Sequence, residues 1–422
     1  MFSPDNFYYY LHTVIQQKTL ATTNCYFPNP GIRTLPGINV FGEQPSVIPK
    51  RYASRCLWHD QEPLDPSFYL HWKNHDLSNA FSLEGGIFAQ NLKPMEFASY
   101  FLSGLHTPIL CHSERNSNDV TQFQQHFFST VHYFYHGLIS RDWFRHWKQY
   151  NISRPENAKR LGLYARDASG SRRYRLTLLE KLIPIKEEVY YRLQPEIADL
   201  MPIDIKNQWV FNNTKKGPES SAIIELSDAE RFHIQIVPET LFNTNKTHLT
   251  EKVFKPMVMR QPFIIVGPPN SLSYLKSYGF ETFNDLWDES YDNEIDPDNR
   301  MNKLIKLAKH LALLPASEFN QILEKAATIV DYNHRHFFGQ LFEECMLNEL
   351  HTGLNSAIHE TQERFLQMPG GNWFFYQNRL TGTGRILPAP TQRINQELLR
   401  YLKSIKKDDI AKQILSKYAH LF

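Results

Sequence analysis

Thr250, Glu251 and Lys252 set a hydroxyl, an acid and a base side by side at the head of the apolar run VFKPMVM, just ahead of QPFIIVG. Thr250 suits a helix N-cap, and Val253, Phe254, Met257 and Val258 recur at helical spacing, so the pattern predicts a helix starting at Glu251. Gln261 and Pro262 would end it. Such a start points free N–H groups and the positive end of the helix dipole at a phosphate, to which Lys252 adds a full charge. Glu251 would repel a phosphate, but a carboxylate can accept hydrogen bonds from both vicinal hydroxyls of a ribose. On spacing alone, a favourable first-turn acid beside a solvated lysine stays an equal alternative. Glu239, closing the strand-like run ending in VPE, points to the same end of a sheet or serves as a local cap partner.

Two other acidic or glycine-bearing runs are read as structural. DPD (Asp296 to Asp298) matches the text of a metal-binding Asp-x-Asp, but it lies in an acidic, proline-containing run just before RMNKLIKLAKH, where acids cap a helix. GPPNSLSYL lacks the Lys-Ser/Thr ending of a phosphate loop, and Asn270 or Ser271 is expected to cap the following helix. In HGLISRDW, His136 and Ser140 fall one helical turn apart, and Arg141 with Asp142 reads as a structural salt link.

These residues need elements to hold them. At 422 residues the chain exceeds one ordinary core, so two domains are expected, with room for a cleft. The balance of 46 basic against 44 acidic residues argues against global attraction to nucleic acid. Cys25, Cys56, Cys111 and Cys345 form no zinc or dense disulfide spacing, which fits a reducing cytoplasm. No secretion signal and no apolar window of about 20 residues is read, so no membrane partner is expected. Up to about Tyr150, short apolar runs such as TPILCHS alternate with helical stretches such as NDVTQFQQHFFSTVHYFYHGLI, and residues 149–160 read as a linker. Beyond it come LGLYAR as strand, SRRYRLTLLEKLIP as helix, NQWVFNN as a possible strand, ERFHIQIVPE as strand, the Glu251 helix and QPFIIVG as strand. The helices SLSYLKSYG and RMNKLIKLAKHLALL follow. That order indicates βαβ units and a parallel sheet, whose ligands bind beyond the carboxyl ends of the strands. The segment from Arg393 is an amphipathic helix candidate, read as a docking helix.

The succession of a strand, Glu239, a loop, TEKVFKP and QPFIIVG resembles the donor-domain signature of the fucosyltransferase-like glycosyltransferases of the GT-B fold. HDQEP, YHGLISRDWFRH, YARDASGSRRYR, HLTEKVFKP, QPFIIVGPPNSLSYLKSYGFETF and DESYDNEIDPDNR are further similar to bacteriophage-encoded members of that superfamily. The resemblance spans roughly Trp58 to Asn333 and is most specific from His248 to Arg300.

The resemblance implies an α/β fold of GT-B type: two Rossmann-like domains whose parallel sheets face each other across a cleft, plus a C-terminal helical tail. The expected limits are residues 1–155 for an acceptor domain, 156–345 for a nucleotide-sugar domain and 346–422 for a helical extension packing back on the first. It implies that Glu251 binds the ribose, that Lys252 binds the diphosphate, and that Arg172 clamps the diphosphate as it departs. Glu239, Thr250, Arg166 and Tyr174 complete the expected nucleotide site. Arg173 and Arg175 are expected on a solvated basic face. The loop departs from its relatives at Ala165 and Ala168, where Asn and an aromatic are usual. Transfer needs a base for the acceptor hydroxyl, and Asp60 and Glu62, two apart in HDQEP and facing one way on an extended segment, are the candidates, Asp60 preferred. A structural acid before Pro63 is the alternative. The expected donor is a UDP- or GDP-sugar, without cofactor or metal. The favoured acceptor is a hydroxymethylated pyrimidine in phage DNA, in a host cytoplasm. The basic, aromatic run Asp142 to Arg160 would supply phosphate contacts and stacking. A surface glycan acceptor and a non-catalytic nucleotide-sugar-binding protein are the competing readings.

Overall fold

In a computed structural model of the chain, the residues described are 25–26, 56–59, 63, 109–127, 130–155, 157–212 and 223–367. They fall into two units, one holding the described residues up to 113, 118–134 and 349–367 and the other residues 114–117 and 135–348. The first contains a parallel sheet in sequential order: β1 (Cys25–Tyr26), β2 (Cys56–His59), β3 (Ile109–His112) and β4 (Val131–Tyr133). Helix α1 (Asn118–Phe127) packs on β4, and Gln124 accepts the Val131 N–H at 3.3 Å. The long helical stretch expected from Asn118 to Ile139 is therefore broken. Val131 and Tyr133, β-branched and aromatic, extend the edge of β3 instead of continuing a helix, and α2 (Gly137–Phe144) begins afresh in the second unit.

The second unit is built on β5 (Lys159–Ala165), β6 (Val189–Leu193), β7 (Phe232–Pro238) and β8 (Phe263–Val266), all parallel, in the order β6-β5-β7-β8. Helix α3 (Tyr174–Leu182) follows β5, and α4 (Glu251–Val258) joins β7 to β8. Because the chain moves outward in opposite directions from the central pair, right-handed crossovers put α3 and α4 on opposite faces. Helices α5 (Ser271–Ser277), α6 (Pro297–Leu313), α7 (Ala316–Phe337) and the part of α8 (Gln340–Gln367) up to residue 348 come after. α3 and α6 pack together at β5, while α4 lies on β7 and β8 beneath α2 and α7. Gly162 on β5 is required by this packing, since a Cβ there would stand 2.2 Å from the Phe232 ring.

Two sequence expectations change. NQWVFNN is a turn rather than a strand: Trp209 turns inward onto Tyr191, with ring centroids 4.7 Å apart, Val210 is exposed, and Phe211 makes a single bridge to Leu193. The edge strand β6 has no counterpart in the sequence reading. Residues 149–160, expected as the linker, lie within the second unit, where Tyr150 donates to Glu230 at 2.9 Å and Arg154 to the Phe232 carbonyl at 2.9 Å. Asp60, Glu62 and the helix expected beyond Arg393 lie outside the described residues. Among those described, no helix is long and apolar enough to cross a membrane.

Candidate functional site

The strand order reverses between β5 and β7, and in open α/β sheets the crevice at such a switch point is where ligands bind. Two turns leave the sheet there. After β5, Asp167 accepts the Ser169 N–H at 2.8 Å, Gly170 adopts φ +53°, and the short 3-10 turn Gly170–Arg172 leads into α3. Arg172 is half-buried and stands 3.5 Å from the Asp167 carboxylate. Burial would raise the Asp167 carboxyl, but the Ser169 hydrogen bonds and the Arg172 and Arg175 guanidinium groups hold it below its ordinary value. Arg166, at the root of this turn, is exposed. Ala165 and Ala168 are buried.

After β7, the chain runs from Glu239 to Thr250 and is pinned along its length. Arg175 donates to the carbonyls of Asp167 at 2.7 Å, Pro238 at 3.0 Å and Glu239 at 2.8 Å, so it staples the two turns together. This corrects the expectation of a solvated face for Arg175, which is 4% exposed; Arg173 is exposed as expected. Tyr174 is also buried, with its hydroxyl donating to Glu239 O at 2.5 Å and lying 3.2 Å from Val266 O, and burial pushes it up to about 12. Its ring stacks on Phe242 at 4.7 Å, and the Arg300 guanidinium lies 4.3 Å from the centre of the Phe242 ring while donating to the Phe242 carbonyl. Further on, Thr247 and Arg115 exchange backbone hydrogen bonds at 3.0 Å, and Lys246 stands 3.5 Å from the buried Glu114 carboxylate.

The loop ends at the start of α4. Thr250 occupies the N-cap position, yet its side chain caps nothing. Instead its hydroxyl donates to Glu239 Oε2 at 2.6 Å and its N–H to Glu239 Oε1 at 3.3 Å. Lys252 folds back over the helix start, donating to Thr250 Oγ1 at 2.9 Å and Thr240 Oγ1 at 3.3 Å and pairing with Glu251 Oε1 at 3.3 Å. The Ser171 hydroxyl, next to Arg172, donates to Thr240 O at 3.4 Å. The turn of Arg172 and the ammonium of Lys252 therefore converge on one residue.

The two carboxylates here are driven apart. Burial raises Glu239, offset in part by Lys252 and Thr250. Burial also works to raise Glu251, but Lys252, His136, Lys255 and its own backbone N–H outweigh it and keep the carboxyl far below the ordinary range. His136, from the start of α2, is buried with its ring edge-on to that of the buried His248, centroids 6.1 Å apart. Neither His136 near Glu251 nor the burial of Arg175 follows from the sequence pattern.

Other expectations resolve as structure. Arg141 donates to the carbonyls of Phe337, Phe338 (3.1 Å) and Gly339 (3.2 Å) at the end of α7 and to Glu343 at 2.7 Å, while the side chain of Asp142, its expected partner, is not among those described. Asp296 caps α6 as expected, accepting the Asn299 N–H at 2.8 Å. Asn270 stands at the N-cap of α5 with φ +64° but makes no capping bond, and the Ser271 hydroxyl goes to Pro268 O. The first amides of α5 are met by Asp292, which accepts from Leu272 and Ser273 at 2.9 and 3.2 Å.

No family model matches the chain, and no curated protein matches its sequence. Among solved structures it is similar to a point mutant of S. aureus TarM in complex with fondaparinux, alpha-GlcNAc-glycerol and UDP, with a TM-score of 0.34 and 10% identity. The match covers 72% of this chain and 56% of that one, so it spans little more than half of the neighbour's length.

Proposed function

We propose that the chain transfers a sugar from a nucleoside-diphosphate sugar to a hydroxyl acceptor. The observation that carries the reading is the convergence of Lys252 and the Arg172 turn on Thr240, beside a carboxylate, Glu251, kept ionised in a buried position. An ionised carboxylate can accept both hydroxyls of a ribose. Lys252 beside it, and Arg172 on the turn that meets Thr240, suit the diphosphate.

In this reading the acceptor oxygen attacks the anomeric carbon, the bond to the diphosphate breaks, and the electron pair leaves with the nucleotide. Lys252 and Arg172 stabilise the negative charge as it develops there. The acceptor's proton passes to a carboxylate, assigned to Asp60 with Glu62 as its neighbour. Tyr174 and Arg175 set the geometry of the two turns, and Arg166 is available at the rim for the nucleotide. The acceptor drawn from the resemblance is a hydroxymethylated pyrimidine in DNA.

The test is nucleotide release from a panel of UDP- and GDP-sugars, with hydroxymethylated DNA and with saccharides as acceptors, in the presence and absence of a chelator. Release that depends on acceptor, persists with chelator and disappears in Lys252→Met supports the reading. Binding without turnover would make the protein a nucleotide-sugar receptor, turnover only on saccharides would replace the DNA acceptor, and no binding of any nucleotide would overturn the proposal.

A further inference from the structure

We infer that Glu239 serves this site as a positioning residue, acting through Thr250 to fix the Lys252 ammonium over the first turn of α4 without touching the ligand. The inference rests on the nucleotide-binding reading above for its purpose, but its geometry stands apart from it.

Glu239 is fully buried, and both of its carboxylate oxygens are engaged by one residue: Oε2 by the Thr250 hydroxyl at 2.6 Å and Oε1 by the Thr250 N–H at 3.3 Å. A hydroxyl has one proton to donate and two lone pairs to accept with. Once Glu239 takes the proton, the lone pairs of Thr250 Oγ1 are left for a donor, and Lys252 Nζ donates there at 2.9 Å. Thr240 Oγ1 and Glu251 Oε1, each at 3.3 Å, give the ammonium its second and third oxygen partners. An ammonium has three donors, so the set is matched in number.

The lysine stem is flexible and its head is partly exposed, and of its three oxygen partners only Glu251 belongs to the helix, so the position depends on Thr250 and Thr240 as well. Without an anchoring carboxylate the Thr250 hydroxyl becomes a free rotor that can turn its proton toward Lys252. Glu239 in turn is held from behind, since its carbonyl accepts from Tyr174 and Arg175 and its N–H donates to Val266 O at 3.0 Å. A residue enclosed in this way has no face left for a sugar. In this inference Glu239 acts through Thr250 rather than by direct ligand contact.

The experiment has a ligand-free arm and a ligand arm. In the first, trace acetylation of the intact protein reports the reactivity of Lys252 against the exposed Lys325 by mass spectrometry. Wild type is expected to react slowly at Lys252. Glu239→Gln and Thr250→Val are expected to bring it severalfold up toward Lys325, and Thr250→Ser, which keeps the hydroxyl, to behave as wild type. Unchanged reactivity in Glu239→Gln and Thr250→Val would overturn the inference. In the second arm, UDP and GDP affinities are measured for Glu239→Gln, Lys252→Met and the double variant. Each single change is expected to weaken binding by about tenfold or more, as for loss of one hydrogen bond to a charged group. The double variant is expected to be no worse than Lys252→Met alone, because both act through the same ammonium. Additive losses would overturn the inference. Wild type failing to bind either nucleotide would defeat the functional reading, while the acetylation arm would still decide the role of Glu239.

Discussion

Two helices of the second unit start with a cation set against the helix dipole, and they treat it in opposite ways. At α6, Arg300 is 1% exposed, and its guanidinium is consumed by main-chain carbonyls of Glu294 at 2.7 Å, Ile295 at 3.1 Å and Phe242. At α4, Lys252 keeps its side chain 30% exposed and is held by side-chain oxygens alone. The N-caps differ in the same sense. Asp296 gives its carboxylate to its own helix, whereas Thr250 gives its hydroxyl to Glu239 and leaves the first turn of α4 without a side-chain cap. A cation met by carbonyls inside the protein is a structural bolt. A cation held in place but still open to solvent, at a helix start without a side-chain cap, is the one that the proposed function gives to a ligand.

The contrast predicts where each substitution will register. Arg300→Met strips a buried loop of a charged donor and is expected to lower stability by about 3 kcal/mol in urea unfolding, as expected when several hydrogen bonds to a charged group are removed. Lys252→Met is expected to leave that midpoint nearly unchanged and to weaken UDP or GDP binding by about 100-fold, read by calorimetry. Equal effects of the two on stability would erase the distinction. Asp296→Ala is expected to lower stability by about 1 kcal/mol, the usual effect of losing a cap, with nucleotide affinity intact. Thr250→Ala is expected to lower both, because it loosens Lys252 and also leaves the buried Glu239 carboxylate short of a donor.

The smallest effect is expected in acid. Glu251 is held ionised in the folded protein, while in the unfolded chain it takes up its proton near pH 4.3. Its contribution is therefore complete above that pH and is lost as the solution is acidified below it. Glu239, raised by burial, contributes with the opposite sign. The comparison to make is thus the acid limb of thermal stability between about pH 5 and pH 3, which should be shallower in Glu251→Gln than in wild type. Parallel curves would show that Glu251 is not the ionised partner of Lys252.

Much of the second unit is legible in the sequence, for identifiable reasons. The α4 helix and β8 show because Val253, Phe254, Met257 and Val258 follow the helical period and FIIV is a continuous buried run. β6 is hidden because an edge strand buries only part of itself: Val189 and Leu193 are inside, while Tyr190, Tyr191 and Arg192 are half-exposed behind a charged 3-10 turn. In NQWVFNN the aromatic and β-branched types imitate a strand, but of residues 207–212 only Trp209 is buried. The acid and base of the site could be read from their place before an apolar helix. The arginine that joins the two turns could not, because Arg175 is satisfied by carbonyls that meet only once the sheet has formed.

The strand order carries a consequence for how the chain acquires its site. β5 and β7 are hydrogen-bonded neighbours although β6 and its flanking turns lie between them in sequence, so their pairing is a contact of long sequence separation. Such contacts form only after the intervening chain has closed a large loop, and they are slow. The proposed nucleotide site spans both strands and so belongs to the finished sheet and to no fragment of it. A nucleotide that binds there would therefore recognise folded chains alone, and its presence would deepen the native basin in proportion to the logarithm of its concentration.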